Sequence, residues 1–136
     1  MTTMRVSTGV RNGAASAFAT EVDAGAGTSV LELRSGAPPT NLTDAAAGTL
    51  LASFDLPATT FGSPATGTIT ANAITATTGA ADGTVGHFRV VNGDAAPVED
   101  SDSVGTSGTE LVLNTLEIST GVDVEITAWT VTFPEA

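Results

Sequence analysis

Apolar and polar residues alternate along most of the chain beyond residue 28, and the alternation changes phase at three places. In "TSVLELRSG", Leu31 and Leu33 share one face while Val30, Glu32 and Arg34 share the other. That is the period of a half-buried strand. "GTLLASFDLP" supplies a second strand, stopped at Pro57, which has no N–H for a ladder. "VGHFRVVNGD" places Phe88 and Val90 inward and His87 and Arg89 outward, with a turn signal at Asn92-Gly93. "TITANAITATTG" alternates until Ile74, where the phase slips, and "TELVLNTLEISTG" slips between Leu113 and Leu116. "VDVEITAWTVTF" changes parity between Ala128 and Trp129. Gly-, Pro- and Ser-rich links such as "SGAPPTNLTDAAAG" and "TTFGSPATG" separate the pieces. Short strands at this spacing predict an antiparallel β-sandwich or barrel.

One stretch breaks the pattern. In "TGVRNGAASAFATEVDAGAG", the residues Val10, Ala14, Ala17, Phe18 and Val22 recur at threes and fours, a narrow apolar stripe. Ser7 or Thr8 is suited to cap its start, with Asn12 as a rival, and Gly25 is suited to end it. The expected fold class is therefore all-β with one short N-terminal helix, a single domain over 1–136 with residues 1–8 as an extended arm.

A one-residue slip moves a strand's whole apolar set to the opposite face, so each slip has two readings. A β-bulge, or a bend from one sheet to the other, keeps a single internal core. Alternatively, part of the strand has its second face covered by another chain. The second reading has most force at the C-terminal strand, because Trp129 is the one tryptophan and tryptophan is enriched at interfaces. It nominates Trp129, Val131 and Phe133, with Phe18 on the helix, as partner-binding residues.

Composition narrows the classes. Hydrophobic residues make up 41% but aromatics only 4%, so the core rests on Val, Leu, Ile and Ala. Such a core is thin, and a partner that binds only the folded state would add to its stability. Cysteine is absent, which excludes disulfides and thiolate chemistry. Four arginines and no lysine face fifteen acids, a formal charge of −11. Nucleic acid is excluded as the main partner, because its binding requires neutralising phosphates. The opening "MTTMRVSTGVRNG" lacks the basic and apolar regions of a signal peptide, and no apolar run is long enough for a membrane span.

Candidate chemistry is sparse. His87 is the one histidine, read as an exposed strand residue without a nucleophile or orienting acid around it. "GTSG" at 105–108 is one residue short of the nucleophile elbow. In "VEDSDSVGTSGTE", Asp100, Asp102 and Gly105 match positions one, three and six of a calcium loop, but Val104 and Leu111 occupy further ligand positions. Asp100 and Asp102 are thus weak metal candidates on what reads as a solvated acidic turn. Glu99 beside them would offer paired carboxylates for glycoside hydrolysis only if a pocket gathered them. "NLT" at 41–43 matches a glycosylation sequon, which has no meaning without secretion. No cofactor, catalytic residue or enzymatic activity is expected.

Several stretches taken together carry a resemblance. "VRNGAASAF", "LELRSGAPPTNLTDAAAGTLLASFDL", Phe61-Gly62, "GHFRVVNGD" and "SVGTSGTELVLNTLEISTGVDVEITAWTVTFP" resemble small virion structural proteins of long-tailed bacteriophages, over nearly the whole chain. The shared motifs mark architecture rather than a reaction. The resemblance implies a capsid decoration or cement protein on the outer capsid surface, bound to the major capsid protein and assembled there as a trimer or dimer. The alternative is a tail-associated or host-surface module that binds a receptor or glycan through loops such as 92–105.

Overall fold

The computed structural model describes residues 4–133 and is mainly β with one helix, as the alternation predicts. Helix α1 (Thr8–Asp23) precedes twelve strands: β1 (Val30–Arg34), β2 (Leu50–Asp55), β3 (Thr68–Thr70), β4 (Thr77–Thr78), β5 (Gly83–Thr84), β6 (His87–Val91), β7 (Pro97–Ser101), β8 (Val104–Gly105), β9 (Leu111–Leu113), β10 (Glu117–Ile118), β11 (Asp123–Val124) and β12 (Ile126–Thr132). A first sheet has the order β2-β1-β6-β7, with antiparallel neighbours throughout. A second has the order β3-β12-β9-β8, antiparallel except for the short parallel pair β8–β9. The pairs β5–β10 and β4–β11 form two small ribbons.

The core is where alternation places it. Leu31, Leu33, Phe54, Phe88 and Val90 from the first sheet meet Ile69, Leu111, Leu113, Trp129 and Val131 from the second in one cluster. Register aligns Phe54, Leu31, Val90 and Glu99 across the four strands of the first sheet, and Ser53, Glu32, Arg89 and Asp100 in the next row. Adjacent rows point to opposite faces. The first row is the inward one.

The three slips resolve without a second chain. At Ile74 the strand has already ended, because β3 stops at Thr70 and the chain crosses to β4. Between Leu113 and Leu116 the chain leaves β9 in the second sheet for β10, which pairs with β5. In β12 the register against β9 shifts between Ile126 and Ala128, a bulge that turns Trp129 and Val131 into the core.

Ser7 caps α1, its Oγ accepting from the Val10 N–H at 3.2 Å, and Gly25 follows the helix end at φ +96°. The buried stripe differs from the predicted one. Ala15 and Val22 are buried and Phe18 is half-buried, whereas Val10, Ala14 and Ala17 are exposed. The stripe begins at Arg11, whose Nε and Nη2 donate to the carbonyls of Phe133 and Thr66 at 2.8 and 2.7 Å. An arginine in the stripe and interchangeable alanines beside it hid the true phase. Of the expected N-terminal arm, residues 1–3 lie outside the described residues, and residues 4–7 lead directly into the capped helix.

The Asn92-Gly93 turn is not a two-residue hairpin. The loop runs to Ala96, whose carbonyl accepts from Asn92 N, and Ala95 rather than Gly93 has a positive φ. Asn92 Oδ1 accepts from the N–H groups of both Asp94 and Ala96. Gly93 is required for another reason: a Cβ there would lie 2.3 Å from the Gly27 carbonyl oxygen.

Candidate functional site

The residues nominated for partner contact lie inside the fold or against it. Trp129 is 0% exposed and Val131 is 7% exposed, while Phe18 and Phe133 are half-buried. Phe18 packs edge-on to Phe133 and Phe61, with ring centroids 6.1 and 5.8 Å apart. Phe61 lies 4.7 Å from Trp129, which meets Phe88 edge-on at 6.2 Å. Every aromatic residue except Phe54 belongs to this chain of rings, which links α1, β12 and β6. The apolar reverse side of the C-terminal strand is therefore covered by the protein's own helix and by Phe61. The expectation that Trp129 faces a neighbouring subunit is corrected.

The outward face of the first sheet holds the opposite surprise. His87 and Arg89 stand on the outward parity, yet they are 0% and 6% exposed, because residues 35–49 fold back over them. This segment is an Ω-like loop, a compact surface excursion whose ends meet. Its base is closed by Ser35 N donating to the Thr49 carbonyl at 3.1 Å and Thr49 N donating to Ser35 Oγ at 2.9 Å. A tight turn at its tip joins Asp44 N to the Asn41 carbonyl, and Asn41 N to Asp44 Oδ2, both at 3.0 Å.

Two side chains on β6 hold the loop down. Arg89 Nη2 donates to the carbonyls of Leu42 and Asp44 at 2.7 and 2.9 Å. The same guanidinium forms a two-pronged pair with Asp100, 2.7 Å from Nε to Oδ1 and 3.0 Å from Nη2 to Oδ2. His87 Nδ1 lies 2.9 Å from the Gly36 carbonyl. A carbonyl only accepts, so Nδ1 carries the proton. The reading of His87 and Arg89 as exposed strand residues is corrected: they point away from the core but are roofed by the loop. Residues 40–46 stay exposed, including Leu42 and the successive alanines Ala45 and Ala46.

The acidic stretch is not a solvated turn. Residues 97–101 form β7, and Asp100 is committed to Arg89, which removes it as a metal ligand. Asp102 lies beyond the strand, its carbonyl accepting from Val104 N. Among the described residues, no group of three or more His, Cys, Asp or Glu is placed to hold a metal.

Glu99, one residue before Asp100, takes the inward face. Burial first, then its hydrogen bond with the Glu110 carboxyl and the charges of Glu110 and Asp100, push its carboxyl up to about 9. Glu110 Oε2 in turn accepts from Trp129 Nε1 at 3.2 Å. The sequence suggests pairing of Glu99 with Asp100 and Asp102, but the carboxyl that meets Glu99 is that of Glu110. The two sit between sheets rather than in a cleft.

Two surface depressions among the described residues are open. One of about 290 Å³ is lined by Ser53, Asp55 and Thr75–Thr77. Another, of about 310 Å³, is lined by residues 25–29 and 56–58 together with Asp23, which accepts from the Thr60 N–H and hydroxyl. The sequence signal for the roofed loop was a Pro- and Ala-rich link between neighbouring strands, in a chain whose few arginines include one on the polar side of an inner strand. No family model, no curated protein and no solved structure matches the chain.

Proposed function

We propose that this chain is a non-enzymatic structural protein of a bacteriophage particle, a capsid decoration protein that binds the major capsid shell through loop 35–49. The observation that carries this reading is the loop itself. An exposed Pro-, Ala- and Leu-bearing segment is held in one shape by a buried guanidinium, with no reactive group presented on it. Preordering matters for binding, because a loop already fixed loses less freedom on docking. The net charge of −11 also supports a location on the outside of a particle, where it keeps neighbouring particles apart.

The resemblance of the sequence to small virion proteins of long-tailed phages supports the same assignment. Weak contacts repeated over a symmetric shell would add through multivalency, so each copy needs only a modest interface. The test is stoichiometry on purified particles. Shell decoration predicts hundreds of copies per head, in line with lattice symmetry. About a dozen copies or fewer, confined to purified tails, would overturn it in favour of a tail-associated or host-surface binding module.

A further inference from the structure

Glu99 occupies an inward position of β7 at the end of the row formed by Phe54, Leu31 and Val90. Its Oε1 is buried and has no hydrogen-bond partner among the described residues. The charges acting on it, those of Glu110 and Asp100, are both acidic. Arg89, one register step away on β6, is held on the opposite face by Asp100 and the loop carbonyls. A buried carboxylate in such surroundings is strongly disfavoured, and two facing carboxyls are relieved when they hold one proton between them.

Glu110 reaches this position from the second sheet. Its carbonyl accepts from Thr130 N at 3.0 Å, its N–H donates to Ser103 Oγ at 3.0 Å, and its Oε2 accepts from the Trp129 indole. The two carboxyls therefore join opposite layers of the molecule beside the one tryptophan.

We propose that Glu99 and Glu110 share a single proton and act as a latch, tying β7 of the first sheet to the β9–β12 pair of the second, and that loss of this proton opens that edge. In the closed form the Glu99 O–H donates to the Glu110 carboxylate, which also accepts from Trp129 Nε1. Hydroxide in solvent takes the proton, leaving two like charges in contact, and the two sheets part locally so that water can reach both. This latch is independent of what the outer loop binds.

The composition makes the latch directly readable. The chain has no Lys, Cys or Tyr, and its basic side chains are four arginines and one histidine. Ordinary side chains and the α-amino group leave the range from about pH 8.5 to 11.5 empty of other titrations. The experiment is a proton count on the full chain across that range, with Trp129 emission followed in the same samples. The expected result is release of one proton per chain, with a red shift of the emission at the same midpoint.

Glu99→Gln, which keeps a donor toward Glu110, should lose both signals. Glu110→Gln, which keeps an oxygen for Trp129 and offers Glu99 an amide N–H, should move the step down by about one pH unit or more. A Glu99→Gln chain that retains the step overturns the proposal. Should that variant not fold, the wild-type count decides alone, and no proton released between about pH 8.5 and 11.5 overturns it.

Discussion

The C-terminal strand around Trp129 and the loop at residues 35–49 are buried and exposed against what their compositions suggest. The strand is rich in the residues that favour interfaces, yet its indole is fully enclosed and its neighbours Phe61, Phe88 and Phe18 complete an internal chain of rings. The loop has no aromatic residue, yet it is exposed and held in place by three carbonyl contacts from two β6 side chains. In a chain with only 4% aromatics, the large rings are needed to fill the core and are not spare for a surface. On the proposed reading, binding is left to ordered backbone and small side chains.

The largest effect that could break this contrast is truncation of the indole. Trp129→Ala should destabilise the protein by about 3–5 kcal/mol, the usual range for a large buried aromatic. Denaturant unfolding measures it. A loss below about 1 kcal/mol would place the indole at a surface after all, since exposed substitutions change stability little.

Arg89→Met should come next. It leaves Asp100 buried without its cation, a change of about 3–5 kcal/mol in comparable pairs, and it frees the Leu42 and Asp44 carbonyls. Cleavage by a protease within residues 36–48 should then outpace that of the wild type at matched stability. If the loop stays as resistant as before, Arg89 does not hold it.

A graded effect comes from the carboxyl latch. Glu99 binds its proton more tightly when folded than unfolded, so between its unfolded value of 4.5 and about 9 the folded state holds the extra proton. Stability should fall as pH rises through that window and level off above it. Glu99→Gln should flatten the slope.

The first sheet could be read from the alternation because Leu31, Leu33, Phe88 and Val90 obey it without exception. Phase slips were equally visible, but period alone cannot separate a bulge from a covered second face. The helix phase was hidden by Arg11 standing in the buried stripe. The site was harder still. His87 and Arg89 have the polar parity of exposed strand residues, and nothing local reveals that a segment roughly fifty residues earlier in sequence returns to roof them. Glu99 and Asp100 are chemically alike and adjacent, so only the register on β7 sends one inward to Glu110 and the other outward to Arg89.

The most direct test places one charge on the loop and leaves the core alone. Leu42 is 37% exposed, and it is its backbone carbonyl that accepts from Arg89. Leu42→Asp should therefore keep stability within about 0.5 kcal/mol of wild type. Measured by co-sedimentation with phage heads stripped of this protein, its affinity should drop at least tenfold. Undiminished binding by a folded Leu42→Asp chain would contradict the account and return the contact to another face.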